Sequence, residues 1–176
     1  VLEQIERKET VNERGVFAPL EAVEMEEIDF GKLLRQTLAD MDGEIQKSPY
    51  KFKIDIPKEA VMVYADGDRM YRVFQNLIGN ALKYSLEGSR IYISLKTEKN
   101  AAVADIRNTS RSELKQDVDF TARFTRGDES RTDGGSGLGL SIAKSFTEAC
   151  GGTFEVETMA DLFTVKVSFE QKKCNV

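Results

Sequence analysis

Two asparagines and a lysine share one face of a predicted helix in the first half of the chain. At about 100° per residue, Asn76, Asn80 and Lys83 fall on one stripe, and apolar side chains fall opposite. Asparagine is a poorer helix former than Glu, Lys or Gln, so a purely solvated stripe does not favour two of them. Two amide oxygens and an ammonium along one line suit a metal ion and a phosphate chain. Taken alone, the stripe also fits an ordinary amphipathic helix.

A glycine-rich run directly before another predicted helix is the second candidate. The run is Gly134-Gly135-Ser136-Gly137-Leu138-Gly139-Leu140. Glycines let the backbone approach an anion closely, and the N-terminus of the following helix adds free N–H groups and partial positive charge. The run is neither a Walker A loop nor a dinucleotide fingerprint, because GxxxxGK[ST] is missing and no strand leads directly into it. By itself it can equally be a hinge, but together with the asparagine stripe it favours a nucleotide site.

The absence of histidine from the 176 residues excludes several other chemistries. It rules out Ser–His and Cys–His hydrolase schemes and most zinc sites. The two cysteines, Cys150 and Cys174, lack metal-ligand spacing, and we expect Cys150 to be a small core residue. The formal net charge is −5 and no strongly basic block is present, so we expect no nucleic-acid binding.

The apolar patterning predicts an α+β domain that positions these residues. The predicted order is helix, strand pair, helix, strand pair, long loop, helix, strand pair. This order indicates a two-layer α/β sandwich, in which three helices cover one face of a mixed sheet of five or six strands. No apolar run approaches the roughly 20 residues needed to cross a bilayer. The loop of roughly 30 residues from Asn108 to Gly137 is long for a compact domain, so we predict that it is functional.

The predicted elements have the following bounds. The helices run from Gly31 to about Gln46, from a cap at Asp66 to near Ser85, and from Gly137 to Ala149. The strands are predicted at Lys51 to Ile56, Val61 to Ala65, Arg90 to Lys96, Ala101 to Ile106, Thr153 to Glu157 and Leu162 to Phe169.

Three regions are predicted along the chain: an N-terminal linker over 1–27, a folded domain over 28–170 and a C-terminal tail over 171–176. Within the first region, Val1 to Thr10 is predicted to be helical and Val11 to Pro19 to be a linker. The chain begins at Val1 without a Met, so we expect it to be a piece of a longer protein.

Three short motifs resemble those of bacterial sensor histidine kinases and occur in the same order. Asn76-Leu77-x-x-Asn80-Ala81-x-Lys83-Tyr84 looks like their N box. Arg123-Phe124-x-Arg126-Gly127-Asp128 is similar to their F-box region, and Gly135-Ser136-Gly137-Leu138-Gly139-Leu140 to their second glycine box. The resemblance runs from about Ile28 to Phe169. It implies the Bergerat-type ATP-binding fold of the GHKL superfamily, shared with GyrB-, Hsp90- and MutL-like ATPases, with residues 108–137 as the ATP lid.

The resemblance implies ATP and Mg²⁺ as cofactors. Asn80 would hold Mg²⁺ through its amide oxygen, with Asn76 assisting. One asparagine is chemically sufficient, because Mg²⁺ commonly takes few protein ligands and is completed by phosphates and water. Lys83 would meet the phosphates, and Tyr84 would line the nucleotide.

The resemblance also implies that the lid takes part in phosphoryl transfer. Arg123 or Arg126 would neutralise charge on the γ-phosphoryl group, in a reaction that depends mostly on positioning and electrostatics. The alternative is that both arginines are solvated lid charges. The residues implied to bind ATP are Asn76, Asn80, Lys83, Tyr84, Asn108, Arg126, Gly135, Ser136, Gly137, Leu138, Gly139 and Leu140.

The chain departs from the family at the first glycine box, where an Asp followed by spaced glycines is expected after the strand ending at Ile106. The sequence there is Arg107-Asn108-Thr109-Ser110-Arg111-Ser112, without glycine. The family's Asp accepts a hydrogen bond from the adenine amino group. Asn108 can accept through its amide oxygen without the charge, so we expect weaker adenine recognition. Asp105 is the alternative, but it lies within an alternating strand.

A second departure is the missing phospho-acceptor, because sensor kinases phosphorylate a histidine on a separate helical dimerisation domain. The chain therefore looks like the catalytic and ATP-binding domain alone, with Leu2 to Thr10 as the end of a dimerisation helix. The expected partners are that phospho-acceptor domain and a cognate response regulator. We expect the parent to be membrane-anchored, with this domain on the cytoplasmic side of a bacterial plasma membrane, and the fragment to bind ATP as a monomer.

Three functions stay open at the level of sequence. The first is the histidine-kinase catalytic domain, and the second is a degenerate nucleotide-binding regulatory module, motivated by Asn108. The third is a related ATPase or serine kinase, which would need a water-activating acid about one helical turn before Asn80. Gln75 and Asn76 occupy that region rather than Glu, which argues against hydrolysis.

Overall fold

A computed structural model describes residues 22–122 and 138–171, together with the backbone of two short strands at 9–11 and 17–19. The helices are α1 (Phe30–Asp40), α2 (Asp42–Lys47), α3 (Gly67–Tyr84) and α4 (Gly139–Ala149). The strands are β1 (Glu9–Val11), β2 (Phe17–Pro19), β3 (Glu26–Asp29), β4 (Lys51–Asp55), β5 (Met62–Ala65), β6 (Arg90–Glu98), β7 (Ala101–Thr109), β8 (Thr153–Met159) and β9 (Leu162–Glu170).

The main sheet has five strands in the order β4-β6-β7-β9-β8. It is mixed, because β4 runs parallel to β6 and the other neighbours are antiparallel. Strands β3 and β5 form a separate antiparallel pair. The predicted α+β architecture, with a mixed sheet packed against helices, is confirmed.

The core lies between one face of this sheet and the helices. Along β7 every second residue is buried, as period-2 strand geometry requires when one face is covered. The Phe30 ring of α1 lies 5.0 Å from Phe74 of α3 and 5.6 Å from Phe169 of β9, measured between ring centroids. These three aromatic side chains join two helices to the sheet.

Helix α3 has the apolar stripe that the sequence predicts. Six of its side chains are buried: Met70, Val73, Phe74, Leu77, Ile78 and Ala81. The predicted N-cap is also present, because the Asp66 carboxylate accepts the backbone N–H of Arg69 at 3.1 Å. Packing and capping together fix which side of α3 carries its polar residues.

Three local predictions are wrong. The helix predicted from Gly31 to Gln46 is interrupted at Met41, followed by Asp42-Gly43, which are weak helix formers. The long loop begins after Thr109 rather than at Asn108, because β7 stays paired with β9 to its last residue. Residues 9–10, predicted to be helical, lie in β1, which pairs antiparallel with β2, so the predicted linker contains a short hairpin strand.

No helix among residues 22–122 and 138–171 has the length and apolarity needed to cross a membrane. Strand β3 begins at Glu26, two residues before the domain boundary predicted from sequence, and pairs with β5.

Candidate functional site

Helices α3 and α4 pack side by side and bring two of the predicted motifs together. The Asn76 side-chain amide donates a hydrogen bond from Nδ2 to the Gly139 carbonyl at 3.3 Å. This contact joins the asparagine stripe to the end of the glycine-rich run. The bond uses the amide nitrogen of Asn76, and its amide oxygen makes no hydrogen bond within the described residues.

Asn80 and Lys83 lie one and two turns further along α3, and both are half-buried. Within the described residues, the Asn80 side chain makes no hydrogen bond and Lys83 has no carboxylate partner. The Lys83 ammonium lies 5.3 Å from the ring centroid of Tyr84, a cation–π distance. The end of α3 therefore presents an amide oxygen and an ammonium that described side chains leave available.

The start of α4 differs from the starts of α1 and α3. Asp29 caps α1 and Asp66 caps α3 through carboxylate hydrogen bonds, whereas Leu138, the N-cap residue of α4, provides no side-chain cap hydrogen bond. The first N–H groups of a helix have no partner within the helix. Together with the helix dipole, such N–H groups favour an anion.

Asn108 lies on the helix-facing side of β7, opposite Ile91 of β6 and Phe163 of β9. Its side chain is 3% exposed. Within the described residues its amide makes no hydrogen bond. Because no described residue bonds this amide, it is available to a polar ligand group.

Asp105, the alternative acid, lies on the opposite face of β7. Its carboxylate accepts the Ser94 hydroxyl at 3.0 Å, and the Arg107 guanidinium lies 4.0 Å away. Because side chains alternate along a strand, Asp105 points away from the helices that Asn108 faces. The geometry therefore favours Asn108 over Asp105 as the residue at the predicted first-glycine-box position.

The chain leaving β7 returns to the end of α3. The Leu86 N–H donates to the Thr109 carbonyl at 2.8 Å, and the Arg111 N–H donates to the Tyr84 carbonyl at 3.0 Å. These bonds place the segment after Asn108 beside the last turn of α3. The predicted first-glycine-box position and the N-box residues thus border one region.

The described part of the long loop packs on the sheet and on α4. The Phe120 ring meets Phe163 edge-on at 5.2 Å between centroids. The Lys144 ammonium of α4 lies 3.4 Å from the Thr121 hydroxyl. Hydrogen bonds from the Thr121 hydroxyl and N–H hold the pKa of the Asp119 carboxyl below its ordinary value. Through Ala122 the loop is therefore held by contacts.

Five predicted site residues lie outside the described residues: Arg123, Arg126, Gly135, Ser136 and Gly137. Leu138, Gly139 and Leu140 are described and half-buried at the start of α4. The Leu138 carbonyl accepts the Ile142 N–H at 2.9 Å, which is the first bond of that helix.

A polar network at the other end of α3 has no counterpart in the sequence prediction beyond the cap. Asp66 is 7% exposed, and its Oδ2 accepts the Glu24 backbone N–H at 2.9 Å. The Arg69 Nε lies 3.4 Å from the same oxygen. Burial raises the pKa of Asp66, but the two N–H bonds and the Arg69 charge outweigh it and lower the pKa. The Asp-x-x-Arg spacing from Asp66 to Arg69 is the feature of the sequence that could have predicted this ion pair.

Cys150 is buried, as predicted, and its burial raises the pKa of the thiol. A thiol with a raised pKa is a poor nucleophile at neutral pH. Among the described residues, no group of three or more His, Cys, Asp or Glu side chains is placed to hold a metal ion.

The sequence matches a family model and several known proteins. The family model described as "Histidine kinase-, DNA gyrase B-, and HSP90-like ATPase" matches residues 65–172, more than half of the chain. Sensor histidine kinase YcbM of Bacillus subtilis is 36% identical over 118 residues, which cover 65% of this chain and 38% of YcbM. Sensor protein KdpD of Clostridium acetobutylicum is 36% identical over 110 residues, which cover 60% of this chain and 12% of KdpD. The chain thus spans less than half the length of these relatives.

Solved structures share the fold. A nucleotide-free form of the catalytic domain of histidine kinase ThkA matches with a TM-score of 0.72 at 21% identity, covering 84% of this chain and 98% of that chain. Full-length ShkA in complex with AMPPNP matches with a TM-score of 0.71 at 19% identity, covering 86% of this chain and 32% of that chain.

Proposed function

Because this chain belongs to the family of histidine kinase-, DNA gyrase B- and HSP90-like ATPases, we propose that it is the Mg-ATP-binding catalytic domain of a sensor histidine kinase. In this proposal it donates the γ-phosphoryl group of ATP to a histidine on a separate domain. The chain has no histidine of its own to accept the group. The relatives named as sensor histidine kinases support the assignment.

One observation carries the proposal: α3 presents Asn80 and Lys83 one and two turns beyond the point where Asn76 meets the first turn of α4. The Asn76–Gly139 hydrogen bond fixes this arrangement. An ammonium and the N–H groups at a helix N-terminus both stabilise phosphate oxygens. The triphosphate of ATP would lie between the last turns of α3 and the first turn of α4.

Asn80 is the proposed ligand of Mg²⁺. A side-chain amide oxygen is a hard donor of the kind that Mg²⁺ prefers, and the Asn80 amide has no other partner within the described residues. When bound, the ion would supply charge neutralisation on the phosphates. Asn76 would assist by holding Gly139 at the first turn of α4.

Asn108 is the proposed contact for adenine, with Tyr84 lining the nucleotide. The Asn108 amide, which has no hydrogen-bond partner within the described residues, can accept a hydrogen bond from an amino group through Oδ1. An amide oxygen carries no net charge, so this bond would be weaker than the one made by a carboxylate.

Phosphoryl transfer requires charge neutralisation and positioning more than covalent chemistry. Lys83 would contact the phosphates, and Arg123 or Arg126 would reach the γ-phosphoryl group from the lid. The acceptor would be the phospho-acceptor and dimerisation domain of the same kinase, and the phosphoryl group would pass on to a response regulator. A membrane-anchored parent, with this domain on the cytoplasmic side, completes the proposal.

Asn108 favours a second candidate, a regulatory module that binds nucleotide weakly and transfers nothing. The third, an ATPase or serine kinase, is disfavoured by the region one turn before Asn80. Gln75 there donates a hydrogen bond to the Tyr71 hydroxyl at 3.3 Å, and Asn76 bonds Gly139. Neither side chain offers a carboxylate to activate water.

A transfer assay separates the three functions. Wild type and Asn80→Ala are incubated with γ-labelled ATP and Mg²⁺, with and without the separately expressed phospho-acceptor domain of a sensor kinase. We expect label on the acceptor histidine with wild type only, and little phosphate release without acceptor. ATP binding without transfer would support the regulatory module, and rapid phosphate release without acceptor would support an ATPase.

A further inference from the structure

Helices α3 and α4 are held together at two polar contacts. One is the Asn76–Gly139 hydrogen bond, and the other is the Arg69 guanidinium, whose carbon lies 5.1 Å from the ring centroid of Phe146. Asn76 follows Arg69 by seven residues, and Phe146 follows Gly139 by seven residues. The helices are therefore antiparallel, and the two contacts are about two turns apart on both.

The Arg69 side chain is held in place from the other side by Asp66. Its Nε lies 3.4 Å from the Asp66 Oδ2, and the two side chains are only 16% and 10% exposed. Arg69 thus lies between a carboxylate and an aromatic face, largely out of water. Ion pairs and cation–π contacts are worth more when they are desolvated.

Asp66 also contacts the segment that enters the domain. Its Oδ2 accepts the backbone N–H of Glu24, 42 residues away in sequence, and this is the oxygen nearest to Arg69. On either side of Glu24, the Val23 and Met25 side chains pack against the core. The entering segment, Ala22 to Met25, is therefore coupled to Arg69 through one carboxylate oxygen.

We propose that Arg69 is a positioning residue for nucleotide binding, which sets the register of α4 against α3, and that Asp66 couples this register to the entering segment. The proposal rests on the function proposed above. In it, the contact at Phe146 fixes the distal end of α4, so that its first turn stays opposite Asn76, one helical turn before Asn80. Small displacements of groups that bind a substrate have large effects, because binding and transfer depend on geometry.

Arg69→Met tests the positioning role, because Met keeps much of the side-chain volume but removes the charge. We expect ATP affinity to fall by about threefold to tenfold, a change within the range of one cation–π contact. We also expect faster hydrogen exchange at the Ile142 amide, which makes the first bond of α4, with unchanged exchange at Ile78 in the core of α3. Arg72→Met, an exposed arginine on the same helix, is the matched control and should change neither quantity.

Two further variants separate positioning from general stability. Arg69→Lys should restore part of the affinity, since Lys keeps the charge. Phe146→Leu should reproduce the effect of Arg69→Met, and the double variant should be no weaker than either single variant, because one contact is lost in all three. A lowered melting temperature with unchanged ATP affinity and unchanged Ile142 exchange would overturn the proposal.

Glu24→Pro tests the coupling to the entering segment, because proline lacks the N–H that Asp66 accepts. Ala22→Pro is its control. We expect Glu24→Pro, but not Ala22→Pro, to raise Ile142 exchange and weaken ATP binding, with no further effect in the Arg69→Met background. Equal behaviour of the two proline variants would refute the coupling. If wild type binds no ATP, the proposed function fails, and unequal Ile142 exchange in nucleotide-free protein still identifies the register effect.

Discussion

The two ends of helix α3 use their polar side chains in opposite ways. At the N-terminal end, Asp66 and Arg69 are bonded to each other, to the backbone and to an aromatic ring. At the C-terminal end, Asn80 and Lys83 are half-buried without hydrogen-bond or carboxylate partners among the described residues. This difference indicates that polar groups with internal partners hold the helix in place, whereas half-buried polar groups without such partners mark where a ligand fits.

Among changes at the C-terminal end of α3, Lys83→Met should have the largest effect on ATP binding. We expect ATP affinity to fall by about tenfold to a hundredfold, because a charged hydrogen bond to phosphate is lost. Isothermal titration measures the affinity, and thermal unfolding without nucleotide should be little changed. Lys96→Met, an exposed lysine of β6, is the control. Comparable loss in both variants would mean that net charge, not this position, matters.

Among changes at the N-terminal end of α3, Asp66→Ala should have the largest effect on stability. It removes the N-cap of α3 and leaves the Arg69 guanidinium without its carboxylate. We expect a loss of about 1–2 kcal/mol in the free energy of unfolding, typical of a lost cap. Urea denaturation measures it, and Asp68→Ala, an exposed acid in the same turn, should cost less. Equal losses of stability in Asp66→Ala and Asp68→Ala would show that the cap and the bonds of Asp66 to Glu24 and Arg69 contribute nothing specific.

These two effects were not equally predictable from sequence. The apolar stripe of α3, its cap and the availability of the asparagine face follow from local spacing, which sequence records directly. The Glu24–Asp66 bond joins residues 42 positions apart, so no local pattern contains it. The last residues of β7 were missed for the same reason, because their strand geometry depends on pairing with β9.

Asn108→Asp tests the proposed contact between this residue and adenine. A carboxylate accepts a stronger hydrogen bond from an amino group, so we expect ATP affinity to rise by about threefold to tenfold. Because the position is 3% exposed, the free carboxylate should also lower stability without nucleotide. Parallel titration with GTP checks the cause, since its base lacks the adenine amino group and should gain little. An equal gain for GTP would remove Asn108 from adenine recognition.

The smallest expected effect is a pH dependence of stability, caused by Asp66 at the N-terminal end of α3. The pKa of Asp66 is lowered in the folded protein, so its stabilising contribution is fully present above the unfolded pKa of about 3.9. It is lost as the pH falls through the lower folded pKa. Below about pH 4, wild type should therefore lose stability more steeply than Asp66→Asn. Parallel slopes in urea denaturation across this range would contradict the assignment.

The most direct test of the central claim is the Mg²⁺ dependence of ATP affinity in wild type and Asn80→Ala, measured by isothermal titration. Our account predicts that Mg²⁺ strengthens ATP binding to wild type and that Asn80→Ala loses most of this gain, while its unfolding without nucleotide is nearly unchanged. Equal ATP affinity of the two proteins in the presence of Mg²⁺ would contradict the assignment of Asn80 as the metal ligand.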